Sequence, residues 1–408
     1  MIMTKPVYCI QDPHTHSFRI KEIKYMLSKI NARVKKISVP GIRVFANKVN
    51  EYENGINFTI GEPDFPTPEN VKQAGIEAIK NNLTGYSHNA GLLNVRQAVS
   101  RFFEETYHFY YDPANEIVIT NGASEAIDSV LRTILVSGDE VILTSPIYSG
   151  YESIIHLNGA KSVTIDTTDT GFVLDPERLE QALTDKTKAI ILNYPSNPTG
   201  ATLSREQMEG IVAVLKKHDI FIISDEIYSE NTFHSKHCSF ASFPEIREQL
   251  FLIHGLSKSH AMTGWRIGYV LGSKNLMEHV LKVHLNNSIC ASLPSQYAAI
   301  EALTAAKEAP AEMNKAYIER RDFVYKQLKE MGLETTLPTG AFYFFPSIQS
   351  TGLTSMEFAT KLLENEQVAV VPGSSFTGNG EGFIRISYAN SMENLQEGLA
   401  RIERFLKK

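Results

Sequence analysis

The sequence predicts an α/β protein: a large region built on a mainly parallel sheet flanked by helices, followed by a smaller α+β region. Two observations carry this reading. From about residue 115, short and uniformly apolar runs alternate with helical patterns, as expected of strands covered on both faces by crossover helices. After residue 294 long helical patterns take over and give way to short strands, which is the signature of a separate α+β layer.

The elements follow in order. EIVIT at 116–120 reads as a strand, 123–135 as a helix, EVILT at 140–144 as a strand, and a helix starts from Tyr148. Asp175 and Pro176 open another helix. The carboxylate can accept an orphan N–H, and proline has none to lose at the first helical position. AIILN at 189–193, a helix at 204–218, FIIS at 221–224 and strands at 251–254 and 267–271 complete the large region. Helices then run to about Met331, with a break near 309–310. AFYFF at 341–345, a helix near 355–365, strands at 368–371 and 383–387, and a last helix follow. The segment around Ile42, Phe45 and Val49 has helical spacing and is expected to pack on the smaller region. The predicted organisation is a leader (1–25), an N-terminal segment (26–60), a large domain (61–296) and a small domain (297–408).

Composition excludes several classes. The chain has 408 residues, 43% of them hydrophobic, enough for a sizeable core. Lys and Arg number 40 against 46 Asp and Glu, for a net charge of −6; no global field draws the chain to nucleic acid or an anionic membrane. Cys9, Cys238 and Cys290 lie far apart without a CxxC pair. That is neither a disulfide framework nor a zinc pattern, and it predicts a reducing compartment, the cytoplasm, and no metal. No run of about 18 apolar residues could span a bilayer. The opening MIMTKPVYCIQDPHTHS lacks the apolar centre of a signal peptide. Residues 1–25 read as a loose leader, with Met3 and Met26 as alternative starts. Ile20, Ile23, Leu27 and Ile30 recur at helical spacing, and His14 and His16 read as solvated side chains.

Chemistry is sought at the carboxyl ends of the parallel strands, where open α/β sheets bind ligands. AIILN ends at Asn193 and runs into YPSNPTG; FIIS ends at Asp225 within SDEIY; the next strand leads to GLSKS and Lys258. A carboxylate straight after an apolar strand is costly unless a cation compensates it. Lys258 could be that cation in a purely structural pair. Alternatively Asp225 pairs with a protonated pyridine nitrogen while Lys258 forms a Schiff base with a cofactor aldehyde. These two segments alone leave both readings open. Arg385 sits between Ile384 and Ile386 in an apolar strand, an odd place without an anionic partner; a guanidinium grips a carboxylate with two parallel hydrogen bonds. GNGEG at 378–382 precedes a strand instead of following one, so it reads as a turn and not a nucleotide loop.

Ten ordered segments extend the case: TIGEPDFPTP, TGYSHNAG, TNGASEAI, SPIYSGY, NYPSNPTG, SDEIYSE, GLSKSHAMTGWRIGY, GAFYFFP, VPGSSF and FIRISYA. By these, residues 42–408 resemble the class I aminotransferases of the aspartate aminotransferase fold. The resemblance implies a fold-type-I enzyme dependent on pyridoxal 5'-phosphate. In it Lys258 carries the cofactor and then moves a proton between substrate Cα and cofactor C4′, and Asp225 faces the pyridine nitrogen. Tyr228 and Asn197 would bond the ring oxygen, and Tyr148 would stack on the ring, although core packing competes for that tyrosine. Ala123 and Ser124 at a helix N-terminus, with Ser257 and Arg266, would hold the phosphate. Tyr86 would reach the phosphate of a neighbouring subunit, which implies a homodimer with shared sites. Arg385 would clamp the substrate α-carboxylate beside Gly61 and Asn197.

The implied reaction moves an amino group between an L-amino acid and a 2-oxo acid, with 2-oxoglutarate the expected acceptor. C–S lyases share this fold and cofactor and stay open as an alternative. A DNA-binding regulator would need a further domain, for which some 40 leader residues are too few. Within the family, PIYSGYE, GASEAIDSVLRTIL, SKSHAMTGWRIG and LKVHLNNSICAS resemble the group acting on N-acetyl-L,L-diaminopimelate in lysine biosynthesis. Aspartate and aromatic amino acids are the competing donors.

Overall fold

The computed structural model describes residues 25–37 and 41–408. The predicted leader lies outside these apart from Tyr25, as do Ile20, Ile23, His14 and His16. Residues 25–37 form a small unit of their own. Asn31 caps the short helix Ala32–Lys35, its side chain accepting from the Arg33 N–H at 2.9 Å. Leu27 and Ile30, expected on an apolar helix face, are both exposed.

From residue 41 onward the chain folds around three sheets. Strands are numbered along the chain from β1 (Ile56–Asn57). The large sheet has the order β2-β8-β7-β6-β5-β3-β4. Its members are β2 (Ile117–Thr120), β3 (Glu140–Ser145), β4 (Lys161–Asp166), β5 (Thr187–Asn193), β6 (Phe221–Asp225), β7 (Leu250–Gly255) and β8 (Gly268–Leu271). All neighbours run parallel except β8, which is antiparallel to both β2 and β7. Every residue of β2, β7 and β8 is buried, and this two-sided covering explains the unbroken apolar runs. β4 has no such run: its KSVTID sequence is mostly exposed or half-exposed at the sheet edge, so the apolar criterion passes over it.

Helix starts are set by local chemistry. Asp175 accepts from the N–H groups of Glu177 and Arg178 and opens the helix Pro176–Ala182. Ser204 and Gln207 form a capping box at the head of Arg205–Leu215. The helix expected from Tyr148 begins two residues later, as Gly150–Leu157, leaving Tyr148 on the preceding loop.

Beyond the helices Leu293–Leu303 and Ala309–Glu330, β9 (Tyr343–Phe344), β11 (Val371–Pro372) and β12 (Ile384–Ser387) form an antiparallel sheet in the order β11-β12-β9. β10 (Val368–Ala369) instead pairs in parallel with β1. Phe45 and Val49, from the helix Gly41–Lys48 and the turn after it, are buried in one cluster with Phe358, Val368 and Ile402. Ile227 and Tyr228, which follow β6, belong to the same cluster. The carboxyl ends of the large sheet therefore abut the small-sheet core, and a cavity lies at that junction. Among the described residues no helix is long and apolar enough to cross a membrane.

Candidate active site

The cavity has a volume of about 630 Å³. It opens at the carboxyl ends of β5, β6 and β7, beside the point where the chain turns from building outward at β3–β4 to building the other way from β5, the position at which such sheets bind ligands. Of the sequence-predicted residues, Gly61, Ala123, Ser124, Tyr148, Asn197, Asp225, Tyr228, Ser257, Lys258, Arg266 and Arg385 all line it. Tyr86 does not; it is 83% exposed on the loop ahead of the helix Leu93–Tyr107.

Asp225 ends β6 and is buried. Tyr151 donates to its Oδ2 at 2.6 Å and the Ile227 N–H to its Oδ1 at 3.1 Å. Among the described residues it forms no ion pair, so the structural pairing with Lys258 is not realised. Burial pushes its carboxyl up to about 6, with the two hydrogen bonds pulling the other way. This is a buried acid still short of a cation, which suits the protonated nitrogen of a pyridine ring. Lys258 donates instead to the Gly61 carbonyl at 2.6 Å. Burial brings its ammonium down to about 8, opposed by the nearby Glu62 carboxylate, so a reactive free amine is within reach near neutral pH.

The far wall follows the same logic. Arg385, on β12, is 1% exposed, and burial depresses its guanidinium. Nη1 donates to Asn197 Oδ1 at 2.8 Å and Nη2 to the Thr59 carbonyl, while Nε has no partner among the described residues. Its Cζ lies 4.4 Å from the Tyr343 ring centroid and 5.0 Å from that of Phe376. A fixed cation with no carboxylate of its own and one idle donor is a ready seat for an anionic substrate group.

At the opposite end the helix Ala123–Ile134 begins without a side-chain cap, which leaves its N-terminal dipole to the cavity. Ser124, Ser257 and Arg266 border it. Gly122 has φ +83°, and a Cβ there would strike the Arg266 guanidinium, so glycine is what lets the arginine close over the helix start. A phosphate fits this end. The donor set thus matches pyridoxal phosphate from the phosphate seat to the pyridine nitrogen.

Several cavity residues were given no role by the sequence reading: Tyr151, Tyr343, Glu62, Arg43, and Asn193, which was named only as a polar strand end. The Asn193 Nδ2 donates to the Asp225 carbonyl at 3.0 Å and its Oδ1 accepts from the Asn197 N–H. The others carry no local signal.

The fold and this cavity define a pyridoxal-phosphate-dependent enzyme. The model for aminotransferase class I and II matches residues 53–402, and the chain belongs to that family; it is an aminotransferase. Across 93% of its length it is 51% identical to 96% of a Bacillus subtilis (strain 168) protein named "probable N-acetyl-LL-diaminopimelate aminotransferase". It is 39% identical over 93% of its length to aromatic-amino-acid aminotransferase 2 of Thermococcus litoralis, covering 98% of that protein. Among solved structures, the aspartate aminotransferase from Thermus thermophilus with maleate superposes with a TM-score of 0.87 at 34% identity, covering 92% of this chain and 99% of that one.

Proposed function

We propose that this aminotransferase takes N-acetyl-L,L-diaminopimelate as its amino-group partner, with 2-oxoglutarate as the opposing 2-oxo acid, in lysine biosynthesis in the cytoplasm. The observation behind this reading is the 51% identity to the Bacillus subtilis relative, against 39% for the aromatic aminotransferase and 40% for an aspartate aminotransferase of Pyrococcus abyssi. Those two relatives keep aromatic amino acids and aspartate as the second reading. A panel of amino donors with 2-oxoglutarate, scored by kcat/KM, separates them. N-acetyl-L,L-diaminopimelate should lead, and preference for aspartate or phenylalanine would transfer the assignment.

The residue roles belong to the same proposal. When bound, pyridoxal phosphate supplies an electron sink conjugated with the substrate Cα. Lys258 would hold the cofactor through its aldehyde, and its Nζ would take and return the proton at substrate Cα. Asp225 keeps the pyridine nitrogen protonated, and Tyr151 and the Ile227 N–H hold that carboxylate in place. Tyr228 and Asn197 face the ring oxygen, and Tyr148 covers the ring. Ala123, Ser124, Ser257 and Arg266 grip the phosphate. Arg385 clamps the substrate α-carboxylate, with Gly61 leaving room for it. Both half-reactions use this one set, so the amino acid and the oxo acid meet the same clamp.

Two copies of the chain would complete the site. Tyr86 is exposed in one chain and serves it in no visible way, which fits a hydroxyl directed at the phosphate of a second copy. Borohydride reduction of the yellow holoenzyme should fix the cofactor to the peptide bearing Lys258. Label on any other lysine would overturn the assignment.

A further inference from the structure

Tyr343 is fully buried on β9 and borders the cavity, yet none of the roles above uses it. Its hydroxyl is 2.7 Å from the Tyr228 hydroxyl. Its ring is the face on which the Arg385 guanidinium lies, at 4.4 Å. A Cβ on Gly61 would collide with its Oη, so it also abuts the segment whose carbonyl accepts from Lys258. One side chain therefore touches the residues assigned to the ring oxygen and to the substrate carboxylate, and the loop that receives the lysine.

We propose that Tyr343 is a positioning residue for both halves of the site: its hydroxyl aims Tyr228 and its ring seats Arg385. This rests on the roles proposed above for those two residues. No other partner is found for the Tyr228 hydroxyl among the described residues, and its own proton is required at the cofactor ring oxygen. Tyr343 is accordingly the donor of the pair. A phenol that accepts a hydrogen bond is a better donor in turn, so Tyr343 strengthens the bond that Tyr228 offers. On the other side, the Arg385 guanidinium lies against both the Tyr343 and Phe376 rings. A desolvated cation over an aromatic face is bound substantially, and these contacts help fix how the guanidinium meets a carboxylate. Gly61 also leaves the space that this hydroxyl needs.

The two arms separate by substitution. Tyr343→Phe removes only the hydroxyl. In the holoenzyme the pH midpoint of the cofactor absorbance should rise by about half a unit, because a weaker Tyr228 donor favours the negatively charged ring oxygen less. The shift should be smaller than that of Tyr228→Phe. Maleate, used as an unreactive carboxylate probe, should bind this variant as it binds wild type. Tyr343→Leu removes the ring as well, and maleate should then bind roughly tenfold more weakly, with KM for amino acid and oxo acid rising together. An unchanged or lowered midpoint in Tyr343→Phe overturns the hydroxyl arm, and unchanged maleate affinity in a folded Tyr343→Leu overturns the ring arm. If Tyr343→Leu does not fold, the Tyr343→Phe midpoint decides alone. Arg385→Lys and Tyr228→Phe run beside them as controls. Should those two leave maleate binding and the midpoint untouched, the roles assigned to Arg385 and Tyr228 fail, and the inference about Tyr343 falls with them.

Discussion

Asp225 and Glu226 are consecutive carboxylates, both buried, and they belong to opposite worlds. Glu226 turns away from the cavity into a polar cluster that meets its needs. Ser224 donates to it at 2.8 Å, Ser239 and the Phe240 N–H at 3.1 Å each, and His237 Nε2 lies at 2.7 Å. The cluster goes on to Glu230, which accepts from Tyr107, and to His254. Burial holds His254 neutral, its value pushed down to about 3. Its Nδ1 accepts from the Gly255 N–H and its Nε2 lies 2.6 Å from the Ser229 hydroxyl. On the cavity side Asp225 has two donors and no cation, and Arg385 has an idle Nε. A buried network satisfied from within the chain serves the fold, whereas one left incomplete is waiting for something from outside.

The comparison breaks most visibly at Lys258. Lys258→Ala should abolish turnover, since the covalent anchor and the proton carrier vanish together. The variant should still bind cofactor through the phosphate and Asp225 contacts, as an equilibrium titration would report. Next comes Asp225→Asn, which should lower kcat by at least about a hundredfold, equivalent to about 3 kcal/mol in barrier. Near-normal turnover would move Asp225 to the structural side of the comparison.

Glu226→Ala should do the converse. It strands Ser224, Ser239 and His237 and should cost about 2–4 kcal/mol in denaturant melts of the apoprotein, with the pH midpoint of the cofactor absorbance unchanged. The stability of the apoprotein sharpens the contrast further. The Asp225 carboxyl stands at about 6 when folded against an ordinary 3.8, so between those values the folded chain binds the extra proton. Stability conferred by that proton is present below 3.8 and lost as pH rises through 6. At pH 7.5 the apo form of Asp225→Asn should therefore melt above apo wild type, by up to about 3 kcal/mol, and the gap should close near pH 4. The smallest effect falls on Arg385→Lys. It keeps the charge and loses the fork, so KM should rise for amino acid and oxo acid alike while cofactor affinity stays as in wild type.

Three charged residues of this site are legible in the sequence for a physical reason, and the rest of the expected lining came from the family resemblance. Asp225, Lys258 and Arg385 interrupt or directly follow apolar strands, where a charge is expensive and needs an explanation. Tyr151 and Tyr343 sit in apolar stretches where a tyrosine is ordinary; their hydroxyls acquire meaning only from partners 74 and 115 residues away. The fold shows the same division. The apolar strands of the large sheet were read to within a residue or two. The single strand read at 368–371 is instead two, β10 and β11, in different sheets, and the polar edge strand β4 and the two-residue β1 carry no pattern to read. Tyr86 is a third case, because the role proposed for it lies with a second copy of the chain.

The lone carboxylate at the end of β6 has a consequence for the life of the molecule. On the role proposed for Asp225, until a ring nitrogen arrives the chain carries an uncompensated charge in its interior and should open more readily than it otherwise would. Cofactor supply should then govern lifetime as well as rate. A protease present while the protein is starved of pyridoxal phosphate should sample a larger open population, leaving the loaded molecules to persist.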